Sequence, residues 1–224
     1  MSANKNKLAE GAIPDSLYPA PSMVISYHTK WAKNHYKKRI REFKEHPLAM
    51  HDIVFIGNSI IEQGGDWGWR FGSPIIKNRG ISGDVTEGVL KRLGEIIYIQ
   101  PKAIFLLCGI NDLLADKKPE FVISNTLKIV AAIHQQSPST IVFVQTILPT
   151  NNPFLMHKIS AVNKQLQSHA ATASFTLIDL HTIFANANDL IKPEYTYDGT
   201  HPTEEGYQAW VKEVKPLMEK LLNN

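Results

Sequence analysis

From Asp52 onwards the chain repeats one pattern: a short apolar run, a turn rich in Gly, Asn or Asp, then a longer stretch with apolar residues at helical spacing. Ile53-Val54-Phe55-Ile56 ends at Gly57 and Ala103 to Cys108 ends at Gly109. Ile141-Val142-Phe143-Val144 and Phe175-Thr176-Leu177-Ile178 have the same character, and the pair Ile75-Ile76 precedes the turn Lys77 to Gly83. Apolar runs this short, without alternation, are strands buried on both faces. Between them Val85, Val89, Leu90, Leu93, Ile96 and Ile97 recur at helical spacing, and Phe121 to Ile133, Phe154 to Ala171 and Glu204 to Leu222 read as helices. The pattern predicts a three-layer α/β/α sandwich around a parallel five-stranded sheet, in the flavodoxin-like manner. In such sheets ligands bind beyond the carboxyl ends of the strands, so the residues after each strand are where chemistry belongs.

The start of the chain differs. Residues 1–22, rich in Pro, Ala, Ser and Asn, read as an extended, poorly ordered arm, and residues 23–46 as a helix ending before Pro47. The expected organisation is an N-terminal arm and helix over 1–50 followed by one α/β domain over 51–224, without internal repeats. At 224 residues the chain can bury a full core without disulfides, and its single cysteine, Cys108, reads as a small core hydrophobe. The net charge is +3, with much of the basic excess between Lys30 and Lys44. No nucleic-acid motif accompanies that charge, so it is expected to be the solvated face of a helix whose apolar contacts come from Trp31, Tyr36, Ile40 and Phe43. No nucleic-acid partner is expected. No segment approaches the roughly 18 consecutive apolar residues of a membrane span. The first 25 residues lack the basic start and apolar centre of a signal peptide, which implies a cytoplasmic protein if the start is native and leaves export open if a leader was trimmed. His28, His35, His46, His51, His134, His157 and His169 lack metal-ligand spacing and read as surface residues. Composition leaves the oligomeric state open.

Acyl transfer needs a nucleophile, a base, a group to orient the base, and donors for the oxyanion. Ser59 follows Gly57, which lets the backbone turn sharply and present the hydroxyl, although a serine after a strand is equally a turn residue. Asn111, in Gly109-Ile110-Asn111-Asp112, is placed to aim an amide donor at the same crevice or to form an Asx turn. Gly83, in Gly80-Ile81-Ser82-Gly83-Asp84, offers an unobstructed backbone N–H or simply a tight turn. In Tyr197-Asp198-Gly199-Thr200-His201-Pro202, the carboxylate is spaced to reach the imidazole and fix its tautomer; otherwise the stretch is a loop capped by Thr203.

These pieces, in this order, resemble the SGNH hydrolases, also called the GDSL esterase/lipase family. Gly57-Asn58-Ser59-Ile60 is similar to the first sequence block, Gly83 in Ile81-Ser82-Gly83-Asp84 to the second, Gly109-Ile110-Asn111-Asp112 to the third, and Asp198 to His201, spaced D-x-x-H, to the fifth. The resemblance covers roughly residues 50–220. One departure is visible: the family's Gly-Asp-Ser is here Gly57-Asn58-Ser59, which leaves the nucleophile in place but removes a charge beside it. The resemblance implies a serine esterase with Ser59 as nucleophile, His201 as base and Asp198 as orienting acid. It implies an oxyanion hole from the backbone N–H groups of Ser59 and Gly83 and the side chain of Asn111, and no metal or organic cofactor.

Trp67, Trp69 and Tyr197 are candidates for the substrate pocket, and His181, near a strand end, is a weaker one. The second block and the compact length look most like the platelet-activating-factor acetylhydrolase-like and carbohydrate acetylesterase members. The expected substrate is therefore a short-chain, acetyl-like ester of a carbohydrate or other small alcohol. The alternatives are an acyltransferase using the same triad, or an acylhydrolase of the lysophospholipase or thioesterase type. A flavodoxin-like nucleotide-binding module would need a phosphate-cradling glycine loop, which Gly80 to Asp84 does not supply.

Overall fold

Phe55, Phe105 and Phe143 lie in register on three neighbouring strands of the computed structural model, which describes residues 13–223. Their rings stack at centroid distances of 4.6 Å and 4.7 Å, and Trp67 extends the stack at 4.2 Å from Phe55. This ladder crosses a sheet of β1 (Ile53–Gly57), β2 (Ile76–Gly80), β3 (Ala103–Leu107), β4 (Ile141–Gln145) and β5 (Thr176–Ile178). The strand order is β2-β1-β3-β4-β5 and every pairing is parallel. All five residues of β1 and of β3 are buried, as uninterrupted apolar runs covered on both faces must be.

The helices are α1 (Lys30–Glu45), α2 (Ser59–Glu62), α3 (Trp67–Phe71), α4 (Thr86–Lys91) and α5 (Leu93–Tyr98). They continue with α6 (Ile110–Leu114), α7 (Pro119–Gln136), α8 (Pro153–Ala170), α9 (His181–Phe184) and α10 (Glu204–Asn223). The expected helix from Val85 to Ile97 is broken at Arg92 (φ −115°, ψ 22°). That side chain is buried and bonds Asp84, the Arg79 carbonyl and the Gly57 carbonyl, which fixes the kink. From β1 the chain winds one way to β2 and the other way to β3, so the switch point lies between β1 and β3. The residues that follow those strands begin α2 and α6.

The N-terminal segment departs from expectation. Residues 1–12 of the expected arm lie outside the described residues, and within 13–22 the chain is anchored rather than free, with Tyr18 buried. A 3-10 turn spans Asp15–Leu17, and Tyr18 is buried with Tyr36, Ile40, Phe43 and Ile81 in a small second core. The helix expected over 23–46 begins only at Lys30, where Thr29 caps it by accepting the Ala32 N–H. Trp31, expected among the apolar contacts of this helix, is instead 60% exposed. Cys108 is buried, and burial pushes its thiol well above the ordinary range. Among the described residues no helix is long and apolar enough to cross a membrane.

Candidate active site

Ser59 is the first residue of α2, directly beyond β1. Gly57 is required there because an added Cβ would overlap the Leu107 carbonyl of the adjacent strand. Asn58 is fully buried and its Oδ1 accepts the Ile60 N–H at 3.0 Å. The cap needs only an oxygen, so asparagine preserves it where the family has aspartate. Its Nδ2 has no hydrogen-bond partner among the described residues.

His201 Nε2 lies 2.8 Å from Ser59 Oγ, and His201 Nδ1 lies 2.6 Å from Asp198 Oδ2. An ionised carboxylate only accepts, so the ring proton resides on Nδ1 and Nε2 is left as acceptor for the serine hydroxyl. Asp198 Oδ1 also accepts the backbone N–H groups of Thr200 and His201, at 2.9 Å and 2.8 Å. Partial burial acts to raise the Asp198 pKa, but the bonds from the His201 backbone, the His201 ring and Thr200 outweigh it and hold the carboxyl below its ordinary range. The loop is anchored on both sides. Asn151 N–H donates to the Gly199 carbonyl at 2.8 Å, and Thr196 Oγ1 donates to the His201 carbonyl at 2.9 Å. Tyr207, in the α10 that follows, donates its hydroxyl to the Ile60 carbonyl at 2.8 Å, beside Ser59. Arg70 grips Glu204 with two bonds of 2.8 Å and 2.9 Å.

The Asn111 amide donates to the Asp84 carbonyl at 2.8 Å, one residue beyond Gly83. Gly83 has φ +78°, a left-handed conformation that favours glycine. Asp84 is buried and bonded to Arg92 Nε at 2.9 Å, while Arg92 Nη2 reaches the Gly57 carbonyl at 2.9 Å. One buried ion pair therefore joins the end of β1, the Gly83 turn and Asn111. Sequence reading overlooked this brace: Asp84 reads only as the end of the Gly83 turn, and Arg92 sits in no motif. It also overlooked Glu62, whose carboxylate accepts the Ser82 N–H and bonds His35 Nε2 at 2.9 Å. Glu62 thereby ties the Gly83 turn to the helix that Ser59 begins. His28, expected at the surface, is buried with Nε2 3.3 Å from Asp84 Oδ1.

The pocket candidates separate. Trp67 is wholly buried, stacked on Phe55, with Nε1 donating to the Ile61 carbonyl at 3.0 Å, so its side chain is part of the core. Trp69 is 77% exposed on α3. Tyr197 is 63% exposed, lies near-parallel to the His201 ring at 5.9 Å and donates its hydroxyl to Gln63 at 2.8 Å. His181 pairs with Asp189 at 2.7 Å and lies 3.0 Å from the Ile147 carbonyl, partners apart from the Ser59 group. Among the described residues, no group of three or more His, Cys, Asp or Glu side chains is arranged to hold a metal ion.

Residues 55–209 match the family described as GDSL-like Lipase/Acylhydrolase. A solved structure from Streptococcus pneumonia, provisionally described as a platelet activating factor, superposes with TM-score 0.74 at 27% identity, covering 84% of this chain and 94% of that one. A Bacteroides fragilis structure provisionally described as an acylhydrolase gives TM-score 0.71 at 24% identity, covering 87% and 99%. Among curated sequences, N-acylneuraminate cytidylyltransferase of Escherichia coli is 24% identical over 191 residues. The match takes in 81% of this chain but only 43% of that protein's length.

Proposed function

Because the chain belongs to the GDSL-like lipase/acylhydrolase family and is a hydrolase of ester bonds, we propose that it removes short acyl groups, acetyl above all, from a carbohydrate or other small alcohol through an acyl-enzyme on Ser59. The carrying observation is the unbroken chain from Ser59 Oγ through His201 to Asp198, with contacts of 2.8 Å and 2.6 Å. Ser59 Oγ attacks the ester carbonyl while its proton passes to His201 Nε2. Asp198 stabilises the imidazolium that forms. The tetrahedral oxyanion is held by the N–H groups of Ser59 and Gly83 and by the Asn111 amide, which keeps one N–H beyond the bond to Asp84. The C–O bond to the alcohol breaks, and the alcohol leaves with the His201 proton. Water then loses a proton to His201 and attacks the acyl-enzyme, releasing the carboxylic acid and restoring Ser59. No step calls for a metal or organic cofactor. The catalytic assignment goes with a hydrolase domain over 51–224 and an N-terminal arm and helix over 1–50.

The carbohydrate alcohol is supported by the curated relative, whose name makes a sugar acid its substrate. The short acyl group is supported by the resemblance of the sequence blocks to acetylesterase members. A rate series over nitrophenyl esters from acetyl to decanoyl, followed by acetylated sugars, tests both parts. Fastest turnover on acetyl and measurable release of acetate from sugars are expected. A maximum at decanoyl would overturn the short-chain assignment in favour of a lysophospholipase-type or thioesterase-type acylhydrolase. Transfer of the acyl group to an added alcohol, outpacing hydrolysis, would make the enzyme an acyltransferase.

A further inference from the structure

Trp31 stands on α1, outside the family-matched residues 55–209, yet it reaches the turn that carries Gly83. A Cβ built on Gly83 would lie 3.5 Å from Trp31 Cζ3 and 2.8 Å from Ala32 Cβ, so the indole rests directly against that glycine. The indole also stacks on His35, with centroids 4.7 Å apart and the planes 11° from parallel. His35 Nε2 in turn bonds both oxygens of Glu62, at 3.0 Å and 2.9 Å, and Glu62 accepts the Ser82 N–H. The ring is thus held on one face and at one edge by residues tied to the Ser59 helix. It nonetheless remains 60% exposed. Rigidity of this kind lowers the cost of binding a flat ligand.

We propose that Trp31 is a substrate-recognition residue: the stacking platform on which the pyranose ring of a carbohydrate ester lies while its acyl group reaches Ser59. This rests on the reading of the Ser59 group as the hydrolytic site for sugar esters, and it names the residue that selects the sugar. The C–H face of a pyranose ring is apolar and flat enough to cover an indole, whereas its hydroxyls need polar neighbours. His35, stacked on one face of the indole, and Glu62, bonded to it, keep polar side chains beside the ring, 18% and 19% exposed. Tyr197, exposed beside His201, borders the site from the base side.

The test compares three acetate esters, a mono-acetylated methyl glucoside, hexyl acetate and ethyl acetate, in the 224-residue enzyme and in Trp31→Ala and Trp31→Phe. For Trp31→Ala, the ratio of kcat/KM on the glucoside to that on ethyl acetate should fall about tenfold or more, mostly through KM, as loss of an aromatic contact predicts. Trp31→Phe should retain part of the ratio. A disturbed Gly83 turn would slow all three esters alike and leave the ratio unchanged, which would overturn the proposal. An equal loss on hexyl acetate would overturn the carbohydrate assignment by making the indole a general apolar surface. Ser59→Ala, run in parallel, tests the underlying site by itself: surviving hydrolysis there would remove that reading whatever the Trp31 ratios show.

Discussion

His201 Nε2 meets Ser59 Oγ at 2.8 Å although the two residues are 142 positions apart in sequence. The contact is built from both ends. Gly57 and Asn58 set the turn that presents Ser59, and the His201 loop is pinned by Asn151 and by the Tyr207 bond to the Ile60 carbonyl. Base and nucleophile are therefore within proton-transfer distance before substrate arrives, and no loop closure is needed to bring them together.

Ser59→Ala should lower ester hydrolysis by about a thousandfold or more while leaving the thermal transition close to that of the parent. Ser59 is 7% exposed and its side chain makes one hydrogen bond, to His201, so alanine fits the same space. A fluorophosphonate probe should label Ser59 in the parent enzyme, as read by peptide mass. Labelling on another serine would contradict the assignment.

Asn111→Ala should act on turnover rather than binding. A donor to an oxygen that is charged only in the transition state is worth about a hundredfold in kcat with little change in KM. The amide also holds the Asp84 carbonyl at 2.8 Å, so the thermal transition must be measured alongside the kinetics. A raised KM with normal kcat would make Asn111 a binding residue instead.

The strands and the main helices were legible because burial on both faces leaves an uninterrupted apolar run, and half-burial leaves a helical period. Ser59, Gly83, Asn111, Asp198 and His201 were legible because each follows a strand or sits in a spaced motif. Asp84–Arg92 and Glu62 were not, since a buried ion pair joins positions set by the fold and leaves no period in sequence. For Trp67, nearness to Ser59 in sequence does not decide between pocket wall and core packing, and α3 turns its ring into the core against Phe55. Trp31, read as an apolar contact of its helix, lies before β1 and outside any motif, so its exposed position against the Gly83 turn left no trace in sequence.

Asp198→Asn should be at least as damaging as Asp198→Ala. The carboxylate accepts from His201 Nδ1 at 2.6 Å, whereas an amide NH₂ in that position donates and forces the ring proton onto Nε2, where it faces Ser59 and blocks the base. Loss of about a thousandfold or more is expected for asparagine, measured as kcat/KM on nitrophenyl acetate. In the parent, His201 must be neutral to take the serine proton. The Asp198 carboxyl is held below the ordinary range. Its contribution to stability is present above the unfolded carboxylate value and is lost only as the pH drops through the lower folded one.

Asp112 should show the opposite dependence. It is wholly buried, and burial raises its pKa even though Thr86 N–H, Thr86 Oγ1 and Tyr27 OH donate to it at 2.9 Å, 2.7 Å and 3.2 Å. Because the folded value lies above the unfolded one, the stabilisation linked to this group is complete below the unfolded carboxylate value of about 4 and is lost as pH rises through the folded value. Thermal transitions of the parent and of Asp112→Asn, followed from about pH 3 to pH 8, should therefore show the parent losing ground to the variant as pH increases. Asp112→Ala should be worse than either at every pH. It strands three buried or half-buried donors, and each unsatisfied donor costs about 1–3 kcal/mol. A parent-minus-asparagine difference that grew with pH would mean the carboxylate is stabilised in the folded state, and the burial argument for this residue would fall.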